Sequence, residues 1–237
     1  MSTPDLFTAS LVSSAPFWGA LTLGVYLLSR AVNQRHRGWW TSPLLLTWGG
    51  CFAVALALHA TYHDYLRGTH WLLSMMGPAT VAFALPIHEH REMIRRHWLV
   101  LAIGVTAGSL IAVASSWVLA SIASLPMDLR LSLLSRSITT PFAVAVSQDV
   151  GGIPELTATC VAVTGLFGAA MGEALLKWLP VRTSFARGAL FGMGAHGAGV
   201  AKAREVGNEE GSIAGLVMVL AGLSNVTAAP ILMALLH

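Results

Sequence analysis

Apolar residues gather into runs long enough to cross a lipid bilayer, and nothing else restricts the fold of this chain so much. A spanning helix needs about 20 mostly apolar residues, each adding about 1.5 Å across a hydrocarbon core about 30 Å thick. Eight runs recur, at 16–30, 43–60, 71–87, 98–124, 131–148, 156–179, 184–203 and 211–236. Charged residues make up only 11% of the 237, against ~25% in an ordinary soluble domain, too few to cover a soluble surface. The expected fold class is all-α: a polytopic helical membrane protein with about six to eight hydrophobic segments, in one transmembrane domain over 1–237. No basic stretch or small-residue cleavage site marks residues 1–15 as a signal peptide, so the first run is expected to stay as a helix.

The charges sit in short clusters between the runs. Arg30, Arg35 and Arg37 occupy the first connector; Arg91, Arg95 and Arg96, beside Glu89 and Glu92, occupy the third. The positive-inside rule places both in the cytoplasm. The connector between them, with Asp64 and Arg67, then faces outward, as does the N-terminus. Trp39, Trp40, Trp71, Trp98 and Trp178 stand at run ends, where an indole ring suits the membrane interface. The net charge is +3, without the basic stripe that a nucleic-acid partner requires.

Strict alternation puts Lys177, Arg182 and Arg187 outside, against the rule. The conflict disappears if 131–148 enters the membrane and returns on the same side. That run is rich in polar residues: Arg136, Ser137, Thr139, Thr140, Pro141, Ser147 and Gln148. The run 184–203 is broken by Gly188, Gly192, Gly194, Gly197 and Gly199. Both are expected to be discontinuous or re-entrant, because broken backbone survives at membrane depth only where protein or a polar cavity receives it. "GPATVAFALPI", Gly77–Ile87, is similar to "TPFAVAVSQDVGGIP", Thr140–Pro154. The likeness is either an internal inverted repeat, as in many transporters, or chance similarity of apolar stretches.

The substrate-binding candidates follow from these breaks. Pro141 lacks an N–H and turns Thr140 away from helical geometry, leaving the groups of Ser137, Thr139 and Thr140 to face a cavity or to form an ordinary cap. The following half-helix would offer its N-terminus to a carboxylate. Arg136 is the matching cation, or an interfacial side chain reaching toward water. His196, with Gly197 and other small neighbours, is a substrate or proton-coupling residue, or a hydrogen bond between helices. Asn225 faces the same cavity or joins two helices. Glu173 reads as an i,i+4 partner of Lys177. The nine histidines form no His-Glu-x-x-His pattern, and Cys51 and Cys160 complement none of them; no metal and no cofactor is expected, and the thiols read as buried and inert. No set of nucleophile, base and orienting group suggests an enzyme.

At these residues the chain resembles the LrgB/CidB family of bacterial membrane proteins. The resemblance rests on "LLSMMGPATVAFALPIHEH", "SRSITTPFAVAVSQDVGGIPELTATCVAVTGLFGAAMG" and "ARGALFGMGAHGAGVAKAREVGNEEGSIAGLVMVLAG", across most of 70–230. Thr139, Thr140 and Pro141 match the family's Thr-Thr-Pro, and His196 and Gly197 its His-Gly. Gln148 stands where the family commonly has Glu, and Gly194 and Ala195 where it commonly has serines, so hydroxyl contacts are lost there. The resemblance implies a place in the bacterial inner membrane. It also implies antiholin-like control of murein hydrolase export and autolysis, with a small LrgA/CidA-like membrane partner. A plastid relative is a glycolate/glycerate translocator, and bacterial two-component relatives are linked to pyruvate transport.

Transport explains more of the sequence. Two broken segments with hydroxyls, one Arg and one His suit a small organic anion such as glycolate, glycerate or pyruvate, carried by alternating access. The alternative is the antiholin-like regulator, which needs helix interfaces but no pocket. Partners expected on either reading are the lipid bilayer and further copies of the chain in a homo-oligomer. A cysteine at Arg182 is expected to react with impermeant thiol reagents only from the cytoplasmic side; reaction from outside would overturn the topology.

Overall fold

The computed structural model describes residues 14–36 and 39–236, so Arg37 and the N-terminal residues used in the topology lie outside it. The described residues form helices and no strand: α1 Ala15–Arg35, α2 Pro43–Ala57, α3 Tyr62–Ser74, α4 Met76–Ala82, α5 Ala84–Glu89, α6 Arg91–Ile122, α7 Met127–Leu134, α8 Thr140–Val150, α9 Pro154–Trp178, α10 Ser184–Val206 and α11 Asn208–Leu236. Four helical stretches among them are long and apolar enough to cross a membrane: Tyr62–Glu89, Arg91–Ile122, Pro154–Trp178 and Asn208–Ala234. The protein is thus a helical membrane protein. The chain forms two compact units, one through Pro78 and the other from Ala79.

In the first unit, α1 packs on α2 and α3. Trp18 is fully buried, its ring 5.6 Å from that of Tyr65 in an edge-on arrangement. The Tyr65 hydroxyl lies 3.1 Å from Thr22 Oγ1, so its polar end is satisfied in an otherwise apolar setting. Thr61 and Asp64 close a capping box at the start of α3, which satisfies donors that the helix cannot reach itself.

The second unit is built around two helical hairpins. The first is α7 and α8. At eight and eleven residues they span about 12 and 16 Å, at 1.5 Å per residue, and neither can cross a bilayer alone. They run antiparallel: Ser135 Oγ donates to the Ala143 carbonyl near the tip, while Ser132 Oγ accepts from the Ile153 N–H at the base. Thr157 of α9 lies 2.7 Å from Ser147 Oγ and 2.9 Å from the Ser132 carbonyl. All three side chains are fully buried. These hydroxyls receive the polar groups that the hairpin exposes as it turns.

The second hairpin is α10 itself, which doubles back at His196. A β-carbon added at Gly199 would collide with the Phe191 carbonyl eight residues earlier; in a straight helix those residues lie about 12 Å apart. Residues 184–195 run beside α11 in the same direction: Gly188 abuts Glu210 and Ile213, and Gly192 abuts Ala214. Residues 197–206 then return toward the base, where Arg204 lies against Gly211. On α9, Gly172 meets Phe191, Gly168 meets Gly194, and Gly165 meets Ala195 and Ala198. Glycine at these contacts lets two backbones touch, the packing that membrane helices use in place of a hydrophobic drive.

Arg187 joins the base of this hairpin to α11 through Glu210 at 2.7 Å, and Lys202 joins it to α9 through Glu173 at 2.9 Å. Glu173 therefore reaches across to α10 instead of pairing with Lys177 along its own helix. The expected broken runs, 131–148 and 184–203, are both hairpins. α9 carries the chain from the base of one to the base of the other, so they enter this unit from opposite ends. The order is inverted and repeated: α6 then the first hairpin, α9 then the second. The partner of Thr140–Pro154 in this repeat is α10, not Gly77–Ile87. The latter is plain helix, with helical φ and ψ retained even at Phe83 between α4 and α5.

Gly192→Ala sets a β-carbon against the Ala214 backbone, which cannot yield. Thermal unfolding in detergent should show a loss of about 1–3 kcal/mol. Gly215→Ala, with nothing within 4 Å of the new atom, should instead gain about 0.5–1 kcal/mol from helix propensity.

Candidate functional site

The two tips carry most of the residues that the sequence singled out. At the first, the chain leaves α7 after Leu134 and re-enters helix at Thr140. Thr139 is extended, with φ −65° and ψ 144°, and its side chain makes no capping bond. Its carbonyl accepts from the N–H groups of Phe142 and Ala143 at 3.1 and 3.0 Å. Pro141 sits in the first turn, where its missing N–H costs nothing. The hydroxyls of Ser137, Thr139 and Thr140 make no hydrogen bond among the described residues. Three hydroxyls are thus gathered at one turn, beside a helix N-terminus, with their own bonding capacity unspent.

Arg136 stands in the same turn and is half-buried. Its Nε donates to Ser116 Oγ at 2.9 Å, and Ser116 Oγ donates to the Ala112 carbonyl at 2.7 Å. This relay fixes the guanidinium by one edge and leaves its terminal N–H groups without a partner among the described residues. No carboxylate of the described residues lies within 4.0 Å of it. Arginine keeps its charge at any relevant pH, and a cation within a membrane fold is retained where an opposite charge comes to it.

The second tip is His196. Its φ of 48° and ψ of −126° interrupt α10, a conformation that glycine adopts freely and other residues at a cost of about 1–3 kcal/mol. The side chain is only 3% exposed. Both ring nitrogens are buried without a well-formed hydrogen bond among the described residues, and an unmet buried polar group costs about 1–3 kcal/mol. Backbone strain and unmet polar atoms fall on a single residue, which a purely structural role does not explain.

The tips approach one another. The His196 ring lies beside the Ser137 backbone, its nearest polar neighbour, and within the field of Arg136. On α9, Gly165 comes within 4 Å of His196 Nδ1, measured from the position a β-carbon would take, and half-buried Cys160 also feels the Arg136 charge. A β-carbon at Gly197 would meet nothing within 4 Å, so open space adjoins the tip. Each tip pairs a helix C-terminus with a helix N-terminus, so the dipoles largely offset and Arg136 makes the local charge positive. The arrangement suits one small anion: a guanidinium edge for a carboxylate, and hydroxyls and an imidazole for a neighbouring oxygen.

Asn225 is elsewhere. Its Nδ2 donates to Ser109 Oγ at 2.9 Å and to the Ala221 carbonyl at 2.8 Å, tying α11 to α6. It lines a cleft of about 310 Å³ between α6, the first hairpin and α11, which Ser135 borders and Arg136 and His196 do not line. Of the two readings that the sequence left open, the structure favours the joint between helices. Ser116, which holds Arg136, escaped sequence reasoning. It is one of four serines in α6, with Ser109, Ser115 and Ser121, twenty residues before its partner, and only their presence in such an apolar run hinted at a role.

His196→Ala and His196→Gly remove the same ring, but only alanine keeps the backbone strain. Thermal unfolding should show the glycine variant to be about 1 kcal/mol the more stable, the reverse of the order inside an ordinary helix. A less stable glycine variant would contradict the strained turn.

The LrgB-like family matches residues 22–235. The chain is similar to the uncharacterized protein YwbG of Bacillus subtilis (strain 168), 37% identical over 90% of this chain and 95% of the relative. It is also similar to the uncharacterized protein YxaC of the same organism, 31% identical over 92% of this chain and 94% of the relative. No solved structure matches it. The match reaches through both compact units and takes in both hairpin tips, and the chain belongs to the LrgB family of membrane proteins.

Proposed function

We propose that this protein carries small monocarboxylates, of the glycolate, glycerate or pyruvate class, across the inner membrane of a bacterium. The observation that supports this most is the pairing of Arg136, which no carboxylate among the described residues neutralises, with His196, strained and buried without a well-formed hydrogen bond among them, where two hairpin tips meet. One cation with hydroxyls around it suits one carboxylate and one adjacent oxygen. A dicarboxylate would leave a second negative charge unmatched.

The inverted pair of hairpins supports alternating access. Each hairpin closes the site toward one end of its unit, so small movements of one against the other would expose the site to one side and then the other. With the first hairpin based on the outer side and the second on the cytoplasmic side, Lys177, Arg182, Arg187, Lys202 and Arg204 all become cytoplasmic, in keeping with the positive-inside rule. The chain acts as a carrier and not an enzyme, as a homo-oligomer or together with a small membrane protein of the LrgA/CidA type.

The test is uptake of labelled pyruvate or glycolate into proteoliposomes holding the purified chain. Saturable uptake is expected, and Arg136→Gln should reduce it about tenfold or more, because a charge-assisted hydrogen bond contributes about 1.5–3 kcal/mol. His196→Ala and Thr140→Ala should also impair it; normal uptake in both would discard the site. No uptake with or without a small partner would favour the antiholin-like regulator instead.

A further inference from the structure

The longest helix, α6, begins with an elbow. His97 has non-helical φ and ψ of −118° and 20° and sets residues 91–96 apart from the spanning portion. Its ring lies 5.1 Å from that of Phe185, and its Nδ1 lies 3.3 Å from the Met93 carbonyl. Met93 and Ile94 pack inward with Leu101, Val105 and Ile213. The elbow is therefore anchored on one face only.

The other face is charged and exposed. Arg91 and Arg95 stand one turn apart there, and neither has a carboxylate within 4.0 Å among the described residues. Arg91 Nη1 lies 3.1 Å from His88 Nε2. Exposed Glu92 and Arg96 occupy the adjacent face, also one turn apart, with Glu89 just ahead of the helix. Arginines at a helix N-terminus add to its partial positive charge instead of offsetting it. An anion between them would relieve both.

Below the arginines the exposed surface turns apolar at once. Trp98 is 62% exposed, and Leu99, Ile103 and Leu110 continue an outward aliphatic strip along α6. Guanidinium, indole and aliphatic groups follow one another in the order of a phospholipid's phosphate, glycerol region and acyl chain. A free phosphate would account for the arginines but not for the strip beneath them. We propose that Arg91, Arg95 and Trp98 hold the headgroup of one anionic phospholipid, with an acyl chain lying along Leu99, Ile103 and Leu110. The site is independent of the transport reading and requires only that α6 span the membrane.

Binding is tested by titrating the detergent-purified full chain with phosphatidylglycerol or phosphatidylcholine and counting bound lipid by native mass spectrometry. Each arginine should strengthen anionic binding about five-fold. The wild type should therefore saturate with phosphatidylglycerol at one per chain, roughly 30-fold ahead of phosphatidylcholine. Arg91→Gln with Arg95→Gln should abolish that preference, and each single variant should lose about five-fold. Equal binding of the two lipids by the wild type overturns the proposal without recourse to a variant. So does a preference that survives in the double variant, or displacement of phosphatidylglycerol by inorganic phosphate at similar concentration.

Discussion

Backbone that leaves helical geometry at membrane depth must find its hydrogen bonds inside the protein, and the second unit is organised around meeting that demand. The first hairpin turns back after only eight residues of α7. It can do so because Ser132, Ser147 and Thr157 form a closed cluster that takes up the Ser132 carbonyl and the Ile153 N–H. The second hairpin depends on contact more than on hydroxyls. Gly165, Gly168 and Gly172 of α9 let the doubled-back α10 lie directly on that helix, while Gly188 and Gly192 do the same for α11. At the base, Arg187–Glu210 and Lys202–Glu173 tie one leg to α11 and the other to α9.

Those arrangements satisfy the legs and leave the tips unsatisfied. Among the described residues Arg136 is fixed through Nε alone, and His196 is held in a turn that costs energy and buries two ring nitrogens without a well-formed hydrogen bond. Each deficit is destabilising in isolation. Their meeting at the junction of two oppositely directed hairpins is what separates this place from the other polar spots in the fold. Asn225 and Ser109, by contrast, are bonded to one another and lie at a helix joint.

Much of this was legible in the residues. The apolar runs gave the membrane helices, and the positive-inside conflict at Lys177, Arg182 and Arg187 pointed to a break within 131–148, where the chain forms a hairpin. Pro141 and the hydroxyls before it marked one tip, and the glycines around His196 marked the other. Three things were not legible. Glu173 pairs with Lys202, because the second leg of α10 returns beside α9, which helical spacing along α9 could not reveal. The inverted partner of the first hairpin is α10; sequence likeness pointed to Gly77–Ile87, since two hairpins of opposite orientation need share no residues. Ser116 contacts Arg136 across twenty residues of chain, a distance at which no local pattern operates.

By itself the sequence determined that this chain lies in a membrane, where its helices break and which residues stand at the breaks, since hydropathy and the geometry of proline and glycine act locally. The tertiary structure alone decided that the two breaks face each other, that among the described residues no carboxylate pairs with Arg136 and no well-formed hydrogen bond reaches the His196 ring, and that Asn225 belongs to a joint instead of the site. The physical reason is that charge neutralisation and hydrogen-bond satisfaction are properties of neighbours in space. The neighbours of Arg136 and His196 are supplied by α6, α9 and the opposing hairpin, far from either residue along the chain.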